Sequence, residues 1–299
     1  MYHLFISLSF LMFLFFTVIS CAKNDSSDLN SLTSPDFTGK KYYFGFGQHE
    51  SNTMMNNEIT YDVRHTNDIF TKKIGGDYIG KTILDITPQP HNPNVMNVIA
   101  DLKTKMTKDD MYVQYSSGHG YGGGLAIGIE YNDLRDQILS MSAQEIIVFN
   151  MSCESGSMID SFDEKRAIWQ DWLKKGRTLF LMSSSQSGEN SQTGPGTDPQ
   201  EPNGPDGSAG SAFGHSLWKA LIGHADGFVD GVKDGFISLD EIVQFTIWKT
   251  KQVGGHTPVV AGSYQPGLIM NKVPSKEYLK SLLETGDISY EEFDELTNY

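Results

Sequence analysis

Thiols and cations are scarce in this chain. Its 299 residues include two cysteines, Cys21 and Cys153. Two cysteines allow at most one bridge, so a disulfide framework cannot hold the fold. Lys and Arg number 23 against 37 Asp and Glu, a net charge of −14. A surface of that sign repels phosphate backbones, which argues against a nucleic-acid partner and favours solubility. Long apolar runs are scarce too. Residues 4–19 form one, and no second run is long enough to span a bilayer. There is no internal repeat, and the remaining length suits one large domain with a real core.

The apolar run is dominated by Phe and Leu and has the length of a secretory signal core. It ends in Thr17-Val18-Ile19-Ser20-Cys21, which resembles a bacterial lipobox. That resemblance implies a lipoprotein signal over residues 1–20, lipidation of Cys21, and a polar tether over residues 21–39. The protein is then expected in a bacterial cell envelope, lipid-anchored outside the cytoplasmic membrane. The segment before the run lacks Lys and Arg and has only His3, so an uncleaved anchor helix and plain secretion stay open. With Cys21 lipidated, Cys153 is the one remaining thiol, unpaired and worth treating as reactive.

From residue 40 onward, strand-like runs alternate with helix-like stretches. Runs at residues 42–46, 82–86, 111–115, 145–149 and 178–182 read as strands, with a sixth at either 258–261 or 267–270. Residues 66–74, 94–106, 132–141 and 167–175 read as helices. The alternation predicts a mostly parallel sheet with helices on both faces. Residues 187–211 are rich in Gly, Pro, Asn, Asp and Ser and predict a long loop, either functional or a tolerated insertion. Residues 273–299 read as an acidic tail or peripheral helix.

Two of the strands end in chemistry. The run at 111–115 leads into Ser116-Ser117-Gly118-His119-Gly120, and the run at 145–149 into Asn150-Met151-Ser152-Cys153-Glu154-Ser155-Gly156. Cys153 and His119 are 34 positions apart, each just past a strand. A free thiol is only partly ionised at neutral pH, and the thiolate is the nucleophile. An imidazole nearby can take its proton and return one to a leaving amine. Sites in open α/β sheets form beyond the carboxyl ends of strands, where two such ends can converge. Gly120 and Gly156 are expected to leave room for substrate backbone. The other histidines, among them His49, His65, His215 and His256, have no such motif around them.

At these residues the chain resembles the clan of cysteine peptidases that holds caspases, metacaspases and legumains. Cys153-Glu154-Ser155-Gly156-Ser157 is most similar to the legumain version of the nucleophile motif. The resemblance extends over residues 40–272 and implies a caspase-like three-layer α/β/α fold with a mostly parallel six-stranded sheet. It implies an oxyanion hole from the backbone N–H groups of Gly120 and Cys153. Arg64 resembles a legumain pocket residue in the loop after the first strand, and Asp62 stands where legumains carry the residue that orients the histidine. Met151 takes the pocket position held by an acid or amide in relatives, and Asn190 and Ser191 fall in the substrate-binding loop. Arg64 favours Asp or Asn before the cleaved bond, whereas Met151 weakens strict asparaginyl specificity.

Residues 226–241 carry most of a calcium loop. With Gly235 at its sixth position, Asp230, Asp234 and Glu241 fall at ligand positions and Asp226 can reach over for the missing one. The competing reading is an Asp-Gly turn with Ser238 capping a helix and Glu241 closing a capping box. The chemistry itself requires no metal, so a bound calcium ion would be structural or regulatory. These features lead to a cysteine endopeptidase that acts on a protein or peptide through a thioester. A non-catalytic surface binding protein of the same fold, a transpeptidase or ligase, and a calcium-binding module stay open.

Overall fold

Among residues 41–48 and 111–117 every residue but Lys41 is buried, as expected of strands covered on both faces. The computed structural model describes residues 37–192, 210–254, 256–265 and 267–298. Cys21, the apolar run before it and most of the long loop lie outside the described residues. In chain order the elements are β1 (Lys41–Gln48), α1 (Thr53–Phe70), a 3-10 turn (Lys72–Ile74), β2 (Ile79–Ile86), α2 (Pro93–Lys105), β3 (Met111–Ser117), β4 (Gly120–Tyr121), β5 (Gly124–Leu125), β6 (Ile129–Glu130), α3 (Tyr131–Leu139) and β7 (Glu145–Met151). There follow α4 (Gly156–Asp163), α5 (Arg166–Lys174), β8 (Thr178–Ser183), α6 (Ala212–Lys219), a π-turn (Ala220–His224), β9 (Phe236–Ser238), α7 (Leu239–Val253), β10 (Val259–Ser263), β11 (Ile269–Lys272), α8 (Lys276–Thr285) and α9 (Tyr290–Thr297).

The central sheet has the order β10-β8-β7-β3-β1-β2. All its pairings are parallel except β10 on β8. The expected mostly parallel six-stranded sheet is therefore present. Of the two candidates for the sixth strand, β10 joins this sheet at its edge, while β11 pairs with β9 in a separate ribbon.

Alternation along the strands divides the core between two faces. Tyr42, Phe44, Tyr112, Ile146, Val148, Leu179 and Leu181 pack in one cluster with residues of α2, α3, α4 and α5. Tyr43 points the other way and stacks on Phe70 of α1 at 5.1 Å. Helices α6 and α7 pack together on that side, with α6 also against α1. The result is three layers, α/β/α.

Three predicted helices match α2, α3 and α5 to within two residues. The one expected at 66–74 instead begins at Thr53, so Asp62 and Arg64 lie inside α1 and not in a loop. The stretch after residue 272, expected as an acidic tail or peripheral helix, forms α8 and α9 with Leu279, Ile288 and Leu296 buried. It belongs to the same compact unit, Thr38–Tyr299.

Candidate active site

The register of β3 on β7 decides where the two reactive side chains lie. The strands are neighbours and parallel, with Ser117 opposite Met151. His119 and Cys153 each stand two residues further on, so the spacing of 34 in sequence becomes the same height above the sheet. Side chain and backbone tie the strand ends together: Ser116 Oγ donates to Asn150 Oδ1 at 2.9 Å, and just past β3 the Gly118 amide donates to the Met151 carbonyl at 3.1 Å. A Cβ built on Gly120 would stand 2.5 Å from the Cys153 carbonyl oxygen. Only glycine permits that approach. The space beside Gly120 is thus taken by the Cys153 turn, and that beside Gly156 by the backbone of residues 186 and 187. Neither glycine leaves the room for substrate that was expected of it.

The sheet also changes direction here. β2 lies on one side of β1 and β3 on the other, which makes the β1–β3 gap the topological switch point where open α/β sheets form their clefts. The chain leaving β1 enters that gap. Gln48 Oε1 accepts the His119 amide at 3.0 Å, and Glu50 Oε2 lies 3.0 Å from His119 Nε2. The Glu50 carboxyl is held below the usual range by the Asn52 amide first and by His119 as well, although its partial burial opposes this. Neither Gln48 nor Glu50 was foreseen from sequence. Their signal was position alone, two polar residues just past a strand end.

Cys153 is partly buried, in the turn between β7 and α4. Its thiol faces the Ser191 carbonyl at 3.9 Å. The next residue, Glu154, has φ 53, a left-handed conformation that costs a non-glycine residue about 1–2 kcal/mol. Its amide donates to the Glu189 carbonyl at 2.8 Å, which fixes the turn against the chain beyond β8. Beneath the turn is a bed of buried serines. The Ser152 carbonyl accepts from the hydroxyls of Ser184 (3.1 Å), Ser185 (3.3 Å) and Ser191 (2.7 Å), and Ser183 donates to the Ser155 carbonyl at 2.8 Å. Short hydroxyls satisfy a tight turn's carbonyls without adding bulk. The paired runs Ser152/Ser155 and Ser183-Ser184-Ser185 were the available clue.

The other expected site residues fall in varied places. Asp62 does not hold the imidazole. It is buried beside Gly214 and accepts from Ser211 N (3.0 Å), Ser211 Oγ (2.7 Å), Tyr115 Oη (3.1 Å) and Ser117 Oγ (3.1 Å). Burial pushes its pKa up to about 6, against the pull of those hydrogen bonds. Arg64 is exposed on α1, about 16 Å along the helix from its first residue at 1.5 Å per residue. None of its described contacts joins it to Cys153 or His119. Met151 is 2% exposed and offers no open surface to a substrate. Asn190 is exposed, and Ser191 is buried with its carbonyl on the thiol.

The four acids expected as calcium ligands, Asp226, Asp230, Asp234 and Glu241, do not converge on one point. Asp226 accepts the amides of Asp234 (2.9 Å) and Gly235 (3.0 Å), Asp230 that of Val232 (2.9 Å), and Glu241 those of Gly227 (2.7 Å) and Ser238 (2.9 Å). Ser238 and Glu241 complete a capping box on α7. Among the described residues no group of three or more His, Cys, Asp or Glu is placed to hold a metal. In this arrangement the acids serve as acceptors for backbone N–H groups.

No protein-family model matches the chain, and no curated protein matches it. Among solved structures it is similar to the crystal structure of caspase-1 from Spodoptera frugiperda, with 11% identity over 79% of this chain and 92% of that one and a TM-score of 0.50. At that identity the likeness shows the fold alone: this is a protein with a caspase-like fold.

Proposed function

We propose that the protein is a cysteine endopeptidase acting through Cys153 and His119. The observation that carries this reading is the parallel register of β3 on β7, which brings a thiol and an imidazole to one height beyond the carboxyl ends of neighbouring strands, beside the sheet's switch point. The Cys153 sulfur attacks the carbonyl carbon of a peptide bond as its proton passes to the imidazole. The imidazolium returns that proton to the leaving amine as the C–N bond breaks. Water then cleaves the thioester, and the acid product leaves. The amides of Cys153 and Gly120 are the donors this reading assigns to the oxyanion. Cys153 also precedes the N-terminus of α4, the positive end of that helix's dipole.

Asp or Asn preference rested on Arg64 and loses that support with Arg64 on the flank of α1. The legumain-like motif and anchoring through Cys21 belong to the same proposal, with protein or peptide substrates met outside the cytoplasmic membrane. The test uses protein starting after Cys21, wild type and Cys153→Ala, with a fluorogenic peptide library varied before the cleaved bond. Cleavage by wild type alone is expected. No turnover by either, with Cys153 inert to an iodoacetamide probe, would sink the reading in favour of a binding protein. For the anchor, Cys21→Ala should release the protein from membranes.

A further inference from the structure

The chain leaving β1 grips His119 at two points, and its geometry has a direction. The register of β1 on β2 shifts between Phe46 and Gln48, from partners Ile83 to Ile86. The extra residue is on β2, so the bulge lies in that strand, while β1 keeps an unbroken register on β3. Past it the ladder to β2 is kept by the backbone, His49 N donating to Ile86 O at 3.0 Å. Gln48 and Glu50 both reach across to His119, just past the end of β3. Gln48 fixes the backbone of His119 through its amide, and a Cβ on Gly118 would stand 2.8 Å from Gln48 Cβ. Glu50 reaches the ring. Its two carboxylate oxygens have separate tasks. Oε1 accepts from Ser51 Oγ (3.2 Å) and the Asn52 amide (3.3 Å), which holds the carboxylate in place, and Oε2 is left for Nε2 of His119. The Glu50 amide is itself tied to Asn56 Oδ1 at 3.1 Å, the start of α1.

We propose that Glu50 is the positioning residue for His119: it holds the ring with the proton on Nε2 and leaves the Nδ1 lone pair to receive the Cys153 proton. An ionised carboxylate only accepts hydrogen bonds, so the nitrogen facing it must be the donor. In a neutral imidazole the other nitrogen is then the acceptor. Asp62 cannot share this task, since its oxygens are engaged by Ser211, Tyr115 and Ser117. The role rests on the peptidase reading for its consequence but not for its geometry.

The experiment compares wild type, Glu50→Gln and Glu50→Ala in two readouts. One is the 15N shifts of the His119 ring at a pH where it is neutral, which report the tautomer without any substrate. The other is kcat and KM on the best peptide found for wild type. Glu50→Ala should scramble the tautomer and lower kcat by roughly 10- to 100-fold with KM within about two-fold, the loss expected of a misoriented base. Glu50→Gln keeps an acceptor oxygen, so it should retain the Nε2–H tautomer and recover part of kcat. An unchanged His119 tautomer in a folded Glu50→Ala protein would overturn the proposal. Absence of turnover in wild type would count against the peptidase reading alone, with the ring shifts still deciding the role of Glu50.

Discussion

Two carboxylates flank the end of β3, and the protein uses them in opposite ways. Glu50 lies at the rim of the cleft, its side chain 19% exposed, and meets an imidazole that is itself 43% exposed. Asp62 lies one layer down, 1% exposed, and meets only hydroxyls and an amide. At the rim, water can screen charge and a substrate can arrive. In the layer below, a charge has no cation beside it, and only hydrogen bonds offset its desolvation. Proximity to a histidine along the chain is therefore a poor guide to a carboxylate's task. What it accepts, and how wet it is, decides.

The largest effect should come from the rim. His119→Ala is expected to lower peptide turnover by about 1000-fold or more. Its urea midpoint should move little, because the ring is partly exposed. A large loss of stability would place His119 with Asp62 as a structural residue and break the contrast.

Next comes the buried partner. Asp62→Ala removes the acceptor of four hydrogen bonds, two of them tying Ser211 at the start of α6 to α1. The expected loss is about 2–3 kcal/mol at pH 5, read by urea unfolding. A drop in turnover with no loss of stability would instead return Asp62 to the catalytic group.

The same residue sets a pH dependence whose sign is fixed. Its carboxyl ionises near 3.8 when unhindered and near 6 when buried, so the folded state binds the proton more tightly. Its contribution to stability is full below pH 4 and falls as pH rises through 6, by about 3 kcal/mol in all. Asp62→Asn should flatten that slope in urea titrations between pH 4 and 8. An unchanged slope would show that another group carries it.

The smallest effect belongs to the turn before α7. Glu241→Gln loosens the capping box and the Gly227 contact, and should cost about 1 kcal/mol with or without added calcium. A loss seen only with calcium present would mean that the acids rearrange around an ion.

Much of the fold could be read from the chain because its strands are short, apolar runs bounded by turn residues. Runs such as Ile146–Phe149 have no alternative to burial. The missed helix shows the limit. α1 carries an apolar row, Ile59, Val63 and Phe70, but Glu58, Asp62 and Thr66 share its buried side. Those polar residues hide the periodicity. They are tolerated because partners such as Ser211 and Tyr115 come from distant parts of the chain, which no local window contains. The two candidates for the sixth strand were equal in sequence for a related reason, since pairing is a property of the neighbour that is found.

For the site, the sequence determined which atoms are reactive. It placed a thiol and an imidazole past the ends of two adjacent strands, and equal offsets from the strand ends were enough for the sheet to bring them level. The tertiary structure alone decided their company. The chain leaving β1 brought Glu50 to the ring, the burial of α1 took Asp62 away from it, and backbone amides took up the acids of the Asp-Gly turn. Sequence fixes what chemistry a side chain can do; hydrogen-bond partners and access to water, which depend on segments far apart in the chain, fix what it does.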